Sequence, residues 1–155
     1  MNKIICIWIF LGLFSAIGFG QNVNLVIQVN EKLVVSELSS IYLVFGTGTE
    51  VKKIPVGYVP GDLILDEKAL ALINADTLNK FSLRFDYNTY SNDNHEIANF
   101  YVDLTKQQIK QPYLILNIYD FRDKKYRHWY KWLTTDKDFL AELRYPNSGI
   151  YIRKK

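Results

Sequence analysis

The stretch from Pro112 to Leu133 (PYLILNIYDFRDKKYRHWYKWL) constrains the fold more than any other part of the chain. Aromatic and β-branched residues, which favour strands, crowd both of its halves, and the polar residues 122–124 separate them. This pattern predicts a β-hairpin, with one strand from Tyr113 to Phe121 and a return strand that ends at Leu133. We expect the rest of the domain to pack around this hairpin.

The register of the predicted hairpin decides which side chains face the core, because a slip of one residue exchanges the two faces. A two-residue loop would place Arg127 and Lys131 on the apolar face, where an unpaired charge is costly. A three-residue loop pairs Leu116 with Tyr130 and leaves that face without a formal charge. We therefore predict the second register, whose inner residues are Leu114, Leu116, Ile118, His128, Tyr130 and Trp132.

Short runs with strand-like composition recur along the rest of the chain, and turn residues separate them. The runs are Val23–Asn30, Ile41–Phe45, Asp62–Leu65, Lys80–Tyr87, Glu96–Leu104, Phe139–Tyr145 and Ile150–Arg153. Asp66 precedes a segment rich in Ala and Leu, which predicts one short helix over Asp66–Asn74, and Pro and Gly predict a loop over residues 55–61. Seven to nine strands in one domain predict an all-β, antiparallel β-sandwich. The alternative is a closed barrel that carries a small apolar ligand.

Residues 1–20 have the layout of a secretory signal peptide. Lys3 gives a short positive start, an apolar run follows, and small residues precede Gln21. We expect cleavage after Gly20, with Gly18 as the alternative position, which leaves a β-sandwich domain over residues 21–155 with no membrane span. The opposing interpretation is an uncleaved membrane anchor, for which the apolar run is short. The only cysteine, Cys6, lies inside the predicted signal with no apolar run before it, so sorting as a lipoprotein is not expected. The protein is predicted to be secreted or periplasmic in a bacterium.

The composition of the predicted mature domain excludes several classes of chemistry. Without Cys6 it has no disulfide, no thiol nucleophile and no cysteine-ligated zinc. The whole chain carries a net charge of +3, and removal of Lys3 with the signal lowers this to +2. So small a charge does not indicate a nucleic-acid partner or a membrane-surface partner. No sequence motif indicates a cofactor.

The outer face of the predicted hairpin is the strongest candidate for a binding site. It combines aromatic rings with cations and one amide, which suits the stacking of sugars or the binding of an acidic partner. The candidate residues are Asn117, Tyr119, Arg127, Trp129 and Lys131. The predicted function is a non-enzymatic, exported domain that binds a protein or glycan of the cell envelope. The opposing interpretation is that a helix or loop covers this face.

Catalysis has few residues available. His95 with Asp86 or Asp93 is the one arrangement that would support a small hydrolase, and His128 is expected to be a hydrogen-bonded residue near the rim of the sandwich. The acidic and amide residues of Asp86–Glu96 also suggest a calcium loop. That segment fails the EF-hand spacing, however, so we predict no metal site there.

Overall fold

The computed structural model describes residues 21–46, 51–75, 79–91, 94–133 and 137–148. These residues form ten strands, three short α-helices and one 3-10 helix. The strands are β1 (Gln21–Val29), β2 (Lys32–Leu33), β3 (Leu38–Phe45), β4 (Lys52–Pro55), β5 (Gly57–Val59), β6 (Gly61–Leu65), β7 (Lys80–Ser91), β8 (Asn94–Thr105), β9 (Leu114–Asp120) and β10 (Phe139–Arg144). The helices are α1 (Glu67–Asn74), α2 (Lys106–Ile109), α3 (Lys124–Trp129) and the 3-10 helix Lys131–Leu133.

The ten strands form two sheets. The larger sheet has the strand order β10-β9-β1-β6-β5, with β2 also paired to β1, and the smaller sheet has the order β4-β3-β7-β8. All pairs are antiparallel except β1 with β9, which run parallel. The prediction of an all-β sandwich is confirmed, and the closed barrel is wrong, because the described strands form two separate sheets.

The core lies between the two sheets and follows from the alternation of apolar residues along each strand. In β1, Val23, Leu25, Ile27 and Val29 are buried, while the residues between them are more exposed. The inner rows of the smaller sheet are equally regular, with Phe81, Leu83 and Phe85 on β7 and Ala98, Phe100, Val102 and Leu104 on β8. Because side chains alternate between the faces of a strand, each of these rows packs against the opposite sheet.

The predicted helix after Asp66 is confirmed as α1. The Asp66 side chain accepts a hydrogen bond from the Ala69 backbone amide at 2.7 Å, as expected of an N-cap residue. The predicted loop over residues 55–61 is wrong, because β5 and the start of β6 lie there as a tight hairpin. Gly61 makes this turn possible, since its φ of +100° is a conformation that residues with a Cβ rarely adopt.

The predicted hairpin between Tyr113 and Leu133 is wrong in its second half. Strand β9 ends at Asp120, and the chain then enters α3 and the 3-10 helix instead of a return strand. The Asp123 side chain caps α3 by accepting a hydrogen bond from the Lys125 amide at 2.8 Å. Both edges of β9 are already occupied, by β1 and by β10, so a returning strand would have no free edge to pair with.

The predicted register is wrong for the same reason. Leu116 lies opposite Ile27 of β1 and Leu143 of β10, and not opposite Tyr130. The prediction that Leu116 is buried nevertheless holds, because its row on β9 faces the core in either arrangement. Trp132, predicted to face the core, is exposed. The predicted signal peptide (1–20) and the predicted strand Ile150–Arg153 lie outside the described residues.

Candidate functional site

Two of the five predicted binding residues, Asn117 and Tyr119, lie on the outer face of the larger sheet, and α3 covers that face. Asn117 is only 8% exposed and donates a hydrogen bond to Glu142 Oε2 at 3.3 Å. The Tyr119 ring packs against Tyr126 and Tyr130, with ring centroids 5.6 Å and 5.2 Å away. The helix therefore covers Tyr119, in line with the opposing interpretation, and Asn117 is buried beside β10.

The environment of Tyr119 shows how closely it is covered. Its hydroxyl lies 3.4 Å from Glu142 Oε2, to which it donates a hydrogen bond. Burial, assisted by the nearby negative charge of Glu142, raises the pKa of Tyr119 to about 12. Arg144 donates a hydrogen bond to the same Glu142 oxygen at 2.8 Å, and this bond is the main reason why the pKa of Glu142 is lowered. These contacts join β10 to β9 beside the half-buried Tyr119 ring.

The other three predicted binding residues lie on the helical segment and are exposed. Trp129 is 53% exposed, and the Lys125 ammonium lies 4.4 Å from its ring centroid. Arg127 donates from Nε to the Phe121 carbonyl at 2.8 Å, so this cation anchors α3 to the end of β9. Lys131 begins the 3-10 helix, where Trp132 is 76% exposed. We refer to Lys125, Trp129 and Trp132 as the tryptophan surface.

Beside α3, one end of the sandwich is open between the two sheets. The opening is a cleft of about 710 Å³, which we call the end cleft. One wall is the inner face of the β7–β8 hairpin beyond the last core residues. The other wall combines the β1–β2 turn with the junction between β9 and α3. The lining residues are Val29, Asn30, Glu31, Lys32, Tyr87, Thr89, Glu96, Asp120, Arg122, Asp123, Lys125 and Tyr126.

An ion pair between the buried Asp120 and the exposed Arg122 forms the base of the end cleft. Asp120 is only 6% exposed, and its carboxylate accepts hydrogen bonds from Arg122 Nε at 2.9 Å and Arg122 Nη2 at 2.6 Å. The same carboxylate accepts the Arg122 backbone amide at 2.9 Å. The hydrogen bonds to Asp120 raise the pKa of Arg122. Arg122 Nη1 is left facing the cleft, 4.0 Å from Glu96 Oε2.

The β1–β2 turn contributes two residues in the left-handed conformation. Asn30 has φ of 53° and Glu31 has φ of 66°, the pattern of a two-residue hairpin turn in which glycine is usual at the second position. Asn30 Oδ1 accepts the Asp120 backbone amide at 2.8 Å, and this bond joins the turn to the end of β9. The Glu31 carboxylate accepts a hydrogen bond from Lys125 Nζ at 3.1 Å, and that contact lowers the pKa of Glu31.

The sequence prediction missed the end cleft. Its lining residues come from three segments that are far apart in the chain, so no local sequence motif predicts the cleft. The sequence contained one indication of this site. Asp120 lies on the same face of β9 as the buried residues Leu116 and Ile118. A carboxylate on the core side of a strand requires a partner, and Arg122 is its nearest cation in sequence.

The hydrolase arrangement is not assembled among the described residues. His95 lies opposite Tyr90 and Asp86 lies opposite Asn99, so the two are four residues apart along the hairpin, roughly 13 Å. His95 Nε2 lies 2.9 Å from Asn88 Oδ1, and Asp86 accepts a hydrogen bond from Asn99. Asp93, the other predicted partner, lies outside the described residues.

The remaining predictions concern metal binding and His128. Within the described part of the chain, no three His, Cys, Asp or Glu side chains are close enough together to hold a metal ion. Asn92 and Asp93 of the suggested calcium loop are outside that part. His128 lies on α3 and is exposed, so its predicted place on the inner face of a return strand is wrong. That it is hydrogen-bonded near the rim of the sandwich stays a prediction.

Comparison of the chain with protein-family models, with curated proteins and with solved structures finds no match. None of the helices in the described ranges is long and apolar enough to cross a membrane.

Proposed function

We propose that this protein is an exported, non-enzymatic domain that binds a glycan of the bacterial cell envelope. The observation that carries the proposal is the exposure of two tryptophans, Trp129 and Trp132, on one short helical segment. A soluble domain usually hides such large apolar side chains, and tryptophan is enriched where ligands and partners bind. A flat indole ring suits the C–H-rich face of a sugar ring.

The size of the tryptophan surface favours a glycan over a protein partner. A stable protein complex buries about 800 Å² on each partner, whereas one large aromatic side chain offers about 150–250 Å². Two partly exposed tryptophans therefore supply only part of a protein interface, but they match the contact area of a few sugar units.

The charges near Trp129 also argue against an acidic protein as the main partner. Lys125 is already hydrogen-bonded to Glu31 and to the Tyr126 hydroxyl, and Arg127 is bonded to the Phe121 carbonyl. Cations held in intramolecular bonds attract a charged partner less strongly than free ones, because those bonds would have to be exchanged. Stacking on the indole rings has no such cost.

Co-sedimentation tests the proposal. The domain of residues 21–155 is mixed with chitin, cellulose or purified peptidoglycan, and the bound fraction is measured. We expect at least one of these polymers to bind the domain. The double variant Trp129→Ala, Trp132→Ala should bind it about tenfold or more weakly, since truncation of such aromatic anchors is among the costliest changes at binding surfaces. Its denaturant midpoint should stay close to that of the unchanged domain.

A matched control is available on another part of the surface. Tyr90 is 76% exposed and Tyr113 is 47% exposed, which are close to the values for the two tryptophans. The double variant Tyr90→Ala, Tyr113→Ala should retain full binding. Absence of binding to all three polymers would overturn the glycan proposal. Equal loss in both double variants would show that the tryptophan surface is not the site.

A further inference from the structure

We propose that the end cleft is a second saccharide-binding site, which takes the terminal sugars of a neutral glycan chain. This inference rests on the proposed function, because it assigns the ligand class of the cleft from the glycan bound at the tryptophan surface. The buried row of β1 ends at Val29, and the residues that line the cleft beyond it are mostly polar. Its volume of about 710 Å³ lies within the range of small-ligand sites, about 300–1,000 Å³.

The charges of the cleft argue against a strongly charged ligand. Its lining has four acidic and three basic side chains, so the charges of the two signs nearly balance. Asp120 is bound by Arg122, and Glu31 is bound by Lys125. A phosphate at Arg122 would have to displace the buried Asp120 carboxylate, which would leave that charge uncompensated.

A neutral polyhydroxyl ligand requires no such exchange. A carboxylate oxygen that accepts one hydrogen bond can accept another, and guanidinium and ammonium groups retain N–H donors after pairing with one carboxylate. Glu96 adds an exposed carboxylate, and Thr89 adds a hydroxyl from the facing wall. Sugar hydroxyls donate and accept, so they can bind both kinds of group while the ion pairs stay intact.

The cleft is held in shape before any ligand arrives. The Asp120 carboxylate fixes the Arg122 guanidinium through two nitrogens, and Asn30 fixes the backbone of Asp120. Glu31 keeps a left-handed conformation that is unfavourable for a residue with a Cβ, and such strain is concentrated at functional positions. Prior ordering of this kind lowers the entropy lost on binding.

Lys125 connects the cleft to the tryptophan surface. Its ammonium lines the cleft beside Glu31, and it also lies over the Trp129 ring. The two sites are thus adjacent, with one side chain common to both. A glycan whose end enters the cleft would pass over Lys125 to reach Trp129.

Titration with short, soluble sugars tests this inference separately from the proposed function. The probes are chitotriose and cellotriose, with binding to residues 21–155 measured by calorimetry. Thr89→Trp places a large ring in the cleft, and it should weaken trisaccharide binding about tenfold or more through steric exclusion. Ile97→Trp is the matched control, because Ile97 is an exposed residue of the adjacent strand whose side chain faces the other side of the hairpin. It should bind as the unchanged domain does.

A second variant covers the case in which Thr89→Trp fails to fold. Glu96 is exposed, and Glu96→Gln should reduce trisaccharide affinity at least severalfold while leaving the denaturant midpoint unchanged. Binding of the unchanged domain should vary less than about twofold between low and high salt, since the ligand is neutral. Tight binding of inorganic phosphate or of Ca²⁺, lost in Thr89→Trp, would overturn the saccharide assignment.

The two proposals fail in different ways. If polymers sediment the domain through Trp129 and Trp132 but neither trisaccharide binds, the proposed function stands and the cleft inference is wrong. If a trisaccharide binds equally well to Thr89→Trp and Ile97→Trp, the cleft inference is also wrong. If neither polymer nor trisaccharide binds, both proposals are wrong.

Discussion

Two side-chain nitrogens of Arg122 donate hydrogen bonds to Asp120, a residue two positions before it at the end of β9. The carboxylate is buried on the core side of the larger sheet, whereas the guanidinium reaches into the end cleft. This pair is the point where the hydrophobic core ends and the polar site begins. It also holds the chain as it turns from β9 into α3.

Asp120→Ala should therefore destabilise the domain far more than Glu96→Ala, which removes the other carboxylate beside Arg122. Loss of charged hydrogen bonds should lower the free energy of unfolding by about 1.5–3 kcal/mol. Glu96→Ala removes only an exposed contact at 4.0 Å, and should cost less than about 0.5 kcal/mol. Urea denaturation of the two variants measures both values. Similar losses of unfolding free energy in the two variants would contradict the conclusion that the Asp120–Arg122 pair stabilises the fold.

Tyr126 and Trp132 test whether residues 124–133 are helical or a return strand. Tyr126 is buried between Tyr119 and Trp129, so Tyr126→Ala should cost about 3–5 kcal/mol, as for other buried aromatic residues. Trp132 is exposed, and Trp132→Ala should change the stability by no more than about 0.5 kcal/mol. In the predicted hairpin Trp132 faces the core, and Trp132→Ala would lower the stability strongly. Denaturant melts of both variants therefore distinguish the helical segment from the return strand.

Leu116 tests the centre of the larger sheet. It is fully buried between β1 and β10, and Leu116→Ala should lower the free energy of unfolding by about 2–5 kcal/mol. Ile64, on β6 of the same sheet, faces solvent and serves as the control. Ile64→Ala should cost less than about 1 kcal/mol. A loss below about 0.5 kcal/mol for Leu116→Ala would mean that this residue is exposed and that the strand order is wrong.

Acid stability should depend on Glu142. Its pKa is lowered by the hydrogen bond from Arg144, with further contributions from Asn117 and Tyr119. The stability that Glu142 contributes is therefore present above the ordinary carboxyl pKa of about 4.3, and it is lost as the pH falls through the lowered pKa. Glu142→Gln should flatten the decline of stability between about pH 5 and pH 3, and urea melts across this range measure it.

The exported form should begin at Gln21. We expect removal of residues 1–20, because their charge, apolar run and small residues match what signal peptidase cleaves. The mass of the intact protein recovered from the periplasm or medium would identify the first residue. A recovered species that retains Met1 and Cys6 would contradict export by this route.

The local features of this fold were readable from the sequence. Alternation along β1, β7 and β8 determines their buried faces, because side chains on a strand point alternately to either side. The Asp66 cap and the helix after it also depend only on neighbours within one turn. These are interactions between residues a few positions apart, so the order of residues is sufficient to predict them.

Only the tertiary structure decided the segment after Asp120 and the site beside it. Aromatic residues favour strands by about 1 kcal/mol at most, and that preference is smaller than the several kcal/mol released when Tyr126 is buried against Tyr119. Which edge of β9 is free depends on β1 and β10, which are distant in the chain. The end cleft arises from the same cause, because Glu31, Glu96 and Arg122 meet only where two sheets pack and their core ends.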